Sequence, residues 1–342
     1  MSRLPGAQGQ RGLRAGREAG IDPVCHTLVG AGLARSGLAR RTALGTTTLV
    51  IGANLPDIDV LAYLWGPGAD LAFRRGWTHG VLALVLWPLA LTGVMVLLDR
   101  GRRRLRREAL PSEIRPGQLL LLSCVSILSH PVLDTLNTYG VRWLMPFSGR
   151  WFYGDTLFIV DPWLWLALGV GVLLSRRSRT TRSARVALWL AFGYAAAMAV
   201  GAVAARRIAA AELASISGAP VDRLLVSPVP VDPFRRSVVA EQGEVYRTGQ
   251  FRWLGSPHLD PASLRVYRKG PREHPAVRAA MTSTPGRRFL MWARFPAFQL
   301  EETDDGDVVV HIVDLRYADR PGVRFGAVSI PVRGDSQSEV ME

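Results

Sequence analysis

The sequence predicts a mainly α protein: a polytopic helical membrane bundle of four to five spans, with a short N-terminal re-entrant or interfacial helix and a small C-terminal β-rich extramembrane domain. Three observations predict it. Hydrophobic residues make up 48% of the 342, yet the formal net charge is +14, a pairing that suits apolar spans joined by cationic loops. The long apolar runs all lie before residue 206, and the remainder of the chain is polar and Pro-rich with short alternating runs. Composition excludes a disordered chain, which would leave too much apolar surface in water, and a disulfide scaffold, because Cys25 and Cys124 are the only cysteines. Of the 42 basic residues only Lys269 is a lysine. That bias fits a high-GC genome, so basicity alone does not argue for a nucleic-acid partner, and none is expected.

In chain order, residues 1–21 carry Arg3, Arg11, Arg14 and Arg17 with no apolar run and read as a loose, disordered tail. Residues 22–207 form the predicted membrane domain. Val81 to Leu98, Leu119 to Leu136, Leu157 to Leu174 and Val186 to Ala205 each approach the roughly 20 residues that cross a hydrocarbon core about 30 Å thick. A fifth run, Thr42 to Leu64, is interrupted by Asn54, Pro56, Asp57 and Asp59 and reads as a broken or re-entrant helix. Seven arginines lie between Asp99 and Pro116 and five between Ser175 and Arg185, against only Arg142 and Arg150 between Asn137 and Thr156. The positive-inside rule then turns the two Arg-rich connections to the cytoplasm and the third outward. Residues 208–342 are the predicted outer-side domain. Gln242 to Leu254 reads as a strand, and Phe289 to Leu300 with Val308 to Tyr317 as a hairpin across an acidic turn.

Polar groups in apolar segments are costly and mark function. They are His26, then Asn54, Asp57 and Asp59, then Arg74, Arg75, Thr78 and His79, then His130, Asp134 and Asn137, and finally Asp155 and Asp161. The predicted topology sets nearly all of them at one depth, near the outer interface. His130 and Asp134 are four apart, so a helix projects them from one face to bind one cation or to form a hydrogen-bonded pair. Pro56 breaks the helix before Asp57 and Asp59, whose carboxylates can face a cavity or serve as a cap and an interfacial group. His26, Asp57, Asp59, His79, His130 and Asp134 are ligands enough for one or two divalent cations: zinc first, with manganese or iron as alternatives. His258, His274 and His311 read as surface or strand residues.

The ordered segments His26-Thr27-Leu28-Val29-Gly30, Asn54-Leu55-Pro56-Asp57-Ile58-Asp59, Arg75-Gly76-Trp77-Thr78-His79-Gly80, His130-Pro131-Val132-Leu133-Asp134-Thr135-Leu136-Asn137-Thr138-Tyr139-Gly140 and Pro146-Phe147 resemble the successive motifs of the membrane-bound metal-dependent hydrolases, also called LexA-binding, inner-membrane-associated hydrolases. The resemblance covers residues 22–165. It implies a multi-pass protein of the bacterial cytoplasmic (inner) membrane and a metal-dependent hydrolase. A more distant likeness is to zinc-dependent phospholipase C, an all-helical fold; by motif order it implies His26, Asp57 or Asp59, His79, His130 and Asp134 as ligands. No histidine follows His130 until His258, which favours one or two metals over a trinuclear cluster. For His26 to join the site, the segment from His26 to Ala39 is re-entrant, or the tail is exported, or translation starts nearer His26.

The expected activity is hydrolysis of an ester or phosphoester in a membrane lipid or envelope component. Asp57, Asp59 and Arg75 are the catalytic candidates, the two acids as ligand or general base and Arg75 as stabiliser of developing negative charge. Asn54, Thr78, Asn137 and Asp161 are candidates for orienting the imidazoles. The rivals are a proton- or ion-coupled transporter, which predicts paired broken helices, and a non-catalytic membrane scaffold.

Overall fold

The computed structural model describes residues 22–65, 68–105, 113–303, 306–317 and 326–333. The predicted tail 1–21 lies outside the described residues, as do Arg106, Arg107 and two residues of the acidic turn, Asp304 and Asp305.

Helix α1 (Pro23–Arg35) begins at Asp22, whose carboxylate accepts from the Cys25 amide, with Pro23 pre-set for the first turn. The chain reverses and returns as α2 (Gly45–Asn54). Glycine lets α2 lie close to two neighbours: a Cβ on Gly30 of α1 would sit 2.6 Å from the Leu49 carbonyl, and one on Gly52 would sit 2.1 Å from Ser126 Oγ of a later helix. After α2 the backbone tightens into a 3₁₀ segment, Leu55–Trp65, and a short helix α3 (Ala69–Phe73) follows. Then come the long helices α4 (Val81–Leu105) and α5 (Pro116–Thr135), the extended loop 140–156, α6 (Pro162–Ser178) and α7 (Arg182–Ser217).

Three of these helices, α4, α5 and α7, are long and apolar enough to cross a membrane, fewer than the four to five predicted. Two runs account for the difference. Leu157 to Leu174 is divided by Asp161, which caps α6 by accepting from the amides of Trp163 and Leu164; its 17 residues rise roughly 26 Å. Thr42 to Leu64 divides after Asn54, just before Pro56, into α2 and the 3₁₀ segment. Side chains on α4 and α7 such as Leu97, Trp189 and Val200 stand 65–71% exposed, and only 6% of the apolar stretch of α7 is buried. Such surfaces are stable against lipid.

Beyond α7, which runs through the predicted boundary at 207/208, the chain forms two antiparallel sheets. The first has β1 (Arg223–Pro228), β2 (Arg235–Gln242), β3 (Val245–Arg252) and β4 (His258–Arg268) in sequence order. The second has β5 (Pro296–Glu302), β6 (Val308–Asp314) and β7 (Ala327–Val332). Alternation fixes their faces. Leu225, Val239 and Tyr246 of the first meet Phe295, Ala297 and Val313 at the second, while Val226, Val238 and Phe251 pack on Ala205, Ala209 and Leu213 of α7. Helices α8 (Pro275–Thr282) and α9 (Thr284–Trp292) cover the far face of the second sheet. The expected strand from Phe289 therefore begins only at Pro296: Ser283 caps α9 through the Gly286 amide, and Phe289 to Trp292 are helical. The predicted strand Gln242 to Leu254 is β3, preceded by a turn at Gly243.

Candidate metal centre

Five elements meet at one end of the bundle. The first turn of α1 brings His26, the 3₁₀ segment brings Asp57 and Asp59, the turn between α3 and α4 brings Arg74, Arg75, Thr78 and His79, the last two turns of α5 bring His130 and Asp134, and the following loop brings Asn137. The tight turn before α4 demands strain: Arg75 has φ +50°, a conformation costly for a side chain of this size.

One carboxylate oxygen of Asp57, a ring nitrogen each of His79 and His130 and a carboxylate oxygen of Asp134 all lie within 4.8 Å of one another. His79 Nε2 is 3.4 Å from Asp134 Oδ2, His130 Nε2 is 3.4 Å from the same oxygen, and His130 Nε2 is 3.6 Å from Asp57 Oδ1. The converging atoms share a property that decides their chemistry. His79 Nε2, His130 Nε2, Asp134 Oδ2 and both oxygens of Asp57 are buried and make no hydrogen bond, and buried polar atoms are rarely left so.

The opposite edges of both imidazoles are anchored. His130 Nδ1 donates to the Ala53 carbonyl at 2.7 Å, which fixes the proton on Nδ1 because a carbonyl can only accept. His79 Nδ1 is 2.9 Å from Thr78 Oγ1, and that hydroxyl donates to Asp59 Oδ2 at 3.0 Å. Each ring is thus held in the tautomer whose Nε2 lone pair faces the centre, as ligation requires. Asp57 lies below the usual carboxylate range; burial opposes this, and the His130 imidazole beside it outweighs burial. His26 is pushed down by burial and by its neighbour His130, which favours a neutral ring.

The structure sorts the predicted residues. Asp57, His79, His130 and Asp134 come together as one donor set. Asp59 does not join it: its carboxylate accepts from the Arg75 amide (2.8 Å) and Thr78 and pairs with Arg74 at 3.4 Å, so it props the centre instead of facing it. His26 stands beside the set, stacked on His130 with centroids 3.7 Å apart and its Nε2 3.4 Å from Asp134 Oδ1. Arg75 is 1% exposed and lies 3.1 Å from Asp134 Oδ1, so its charge is engaged in compensating a carboxylate. Thr78 contacts the His79 imidazole at 2.9 Å. Asn137 instead holds Arg75, whose Nη1 donates to its Oδ1 at 3.0 Å. Asn54 bonds Thr27 and ties α2 to α1, and Asp161 caps α6 and accepts from Tyr194 at 3.0 Å; neither touches an imidazole.

Other contributors were not singled out by spacing. Arg74 is buried against Asp59 and Tyr63. The Arg75 guanidinium lies over the Tyr139 ring at 4.7 Å. Tyr139 is in turn fixed by the C-terminal region: Trp292 Nε1 donates to its carbonyl at 3.2 Å and Arg316 Nη1 to the Thr138 carbonyl at 2.8 Å. The available signal was the tandem Arg74-Arg75 directly before the Thr78-His79 pair.

Residues 21–208 match the family described as YdjM inner membrane protein. The match contains the whole donor set and ends within α7, before the sheets. The uncharacterized protein YfhP of Bacillus subtilis (strain 168) is 26% identical over 156 residues, 46% of this chain and 41% of that protein. The chain thus spans about two fifths of that relative's length. No solved structure matches the chain.

Proposed function

The chain belongs to the YdjM inner membrane protein family, and from that premise we propose that it is a metal-dependent hydrolase of the cytoplasmic membrane acting on an ester or phosphoester of a lipid or envelope component. The observation that carries this reading is the set of buried, unbonded donor atoms on Asp57, His79, His130 and Asp134. Two nitrogens and two carboxylate oxygens suit zinc, and manganese or iron accept the same set.

Asp57, His79, His130 and Asp134 would hold the metal, which would supply activation of water near neutral pH and polarisation of the scissile group. The chain's own residues supply the rest. Thr78 and the Ala53 carbonyl hold the two imidazoles, and Asp59 holds Thr78. Asp57, with neither oxygen hydrogen-bonded and its side chain 11% exposed, is placed to take a proton at the carboxylate oxygen not used as ligand. Arg75 pairs with Asp134 at 3.1 Å and holds its carboxylate in place.

Substrate approach is inferred from the surface around Asp57. Its 3₁₀ segment presents Ile58, Leu61, Leu64 and Trp65 outward, and Trp65, Phe73 and Trp77 form a row with centroids 5.1 and 6.5 Å apart. Such a surface suits the headgroup level of a bilayer. The Arg-rich ends of α4 and α6 lie at the other end of the helices from the donor set, so we place the set, and the C-terminal region packed beside it, at the outer interface. Metal analysis of detergent-purified protein tests the reading. Wild type is expected to carry about one divalent ion per chain, and His130→Ala and His79→Gln to carry almost none. Equal metal in wild type and both variants would remove the proposal.

A further inference from the structure

A second feature lies away from the donor set, where α7 leaves its apolar stretch and meets the first sheet. A cleft of about 780 Å³ opens there. Four arginines line it, Arg206 and Arg207 from α7, Arg223 from β1 and Arg294 from the connection before β5, against one acid, Asp222. They come from three separate parts of the chain, so the cluster is not simply the charged end of one span.

The four divide into two kinds. Arg223 and Arg294 are fixed: Arg223 pairs with Glu241 and lies over the Phe295 ring at 5.1 Å, and Arg294 pairs with Asp155 at 2.8 Å and lies over the Tyr153 ring at 4.2 Å. Arg206 and Arg207 are exposed, and among the described residues neither has a carboxylate within 4.0 Å. Asp222, meanwhile, has an oxygen committed to the Gly243 amide at 2.8 Å. The cleft thus has two guanidiniums anchored over aromatic rings and two that, among the described residues, have no carboxylate within 4.0 Å. Guanidinium groups so disposed match the oxygens of a phosphate.

Its apolar side decides the kind of phosphate. Val203, 56% exposed, lines the cleft and continues on α7 toward Val200, 71% exposed. Helix α7 is long and apolar enough to cross a membrane, and this exposed apolar surface of it adjoins the cleft, as an acyl chain beside a bound phosphate would require.

We propose that this cleft binds the phosphate headgroup of an anionic phospholipid, with Arg206 and Arg207 on the phosphate and the proximal acyl chain along Val203 and Val200. The assignment is independent of the metal centre, since none of its residues touches the donor set.

The test uses the full chain in neutral detergent and reads bound lipid by native mass spectrometry, with phosphatidylglycerol, phosphatidylcholine and inorganic phosphate as probes. Wild type is expected to retain phosphatidylglycerol over phosphatidylcholine, and Arg206→Gln with Arg207→Gln to weaken that retention by about thirty-fold, at roughly a factor of five for each arginine removed near a membrane surface. Arg206→Lys with Arg207→Lys, which keeps the charge, is expected to hold most of it. Three results overturn the proposal: equal retention in wild type and the Gln variant, equal retention of the two lipids, or inorganic phosphate competing as strongly as phosphatidylglycerol, which marks a site for free phosphate.

Discussion

Two buried histidine clusters in this molecule look alike on paper and differ in what their atoms do. On the second sheet, His311 sits between strands with Ser329 Oγ 2.8 Å from Nδ1 and Glu301 Oε2 2.7 Å from Nε2. Both ring nitrogens are satisfied, and the carboxylate is half in solvent, its side chain 53% exposed. At the end of the bundle, His79 and His130 each spend one nitrogen on an anchor and leave the other bare, facing bare carboxylate oxygens. The lesson is that a ligand set is marked by shared incompleteness, whereas a structural pair closes on itself.

The sharpest way to break the comparison is to remove the carboxylate from each cluster. Asp134→Ala breaks the buried ion pair with Arg75 and is expected to destabilise metal-free protein by about 3–5 kcal/mol. Glu301→Ala removes an exposed partner and is expected to cost less than about 1 kcal/mol. Thermal unfolding in detergent, with chelator present, measures both; costs of similar size would show that the two clusters are of one kind.

A smaller effect tests the outer layer. Asp59→Asn keeps the shape of the group that props Thr78 and removes its charge. Metal affinity is expected to fall about 10–100-fold without being abolished, as read by competition with a chelator of known affinity. Complete loss would make Asp59 a ligand after all, and no change would detach it from the centre.

How much the sequence disclosed depends on the range of the interactions. Periodicity and length are local, so α4, α5 and α7 were visible as apolar runs, and the four-residue spacing of His130 and Asp134 placed both on one helical face. Asp57 and Asp59 could not be told apart. They are two residues apart on a 3₁₀ segment, and which one faces the donors depends on Arg74, Arg75 and Thr78, up to 19 residues away. The His130 tautomer was equally hidden, because it is set by a carbonyl 77 residues away. By contrast, helix α9 was open to recognition: Ser283-Thr284-Pro285 carries a cap and an early proline, a helix start that the apolar run Phe289 to Trp292 obscured. The role of Tyr139 was beyond reach, since its anchors, Trp292 and Arg316, come from the other end of the chain.

The mildest test concerns His311 itself. Ser329, His311 and Glu301 have the residue types of a nucleophile, a base and an acid, and a hydrolytic reading of the sheet is the natural rival to the metal centre. The geometry opposes it. In such triads the hydroxyl faces Nε2 and the acid holds Nδ1, and here the two partners are exchanged. Ser329 and His311 are also direct cross-strand neighbours on β6 and β7, a position that register alone explains. His311→Gln is therefore expected to leave metal content and any hydrolytic activity unchanged and to cost about 0.2–1 kcal/mol, the worth of a cross-strand pair. Labelling of Ser329 by a serine-reactive phosphonate probe would reverse the assignment, because such a probe reacts with an activated nucleophile and not with a hydroxyl that serves only as a cross-strand hydrogen-bond partner.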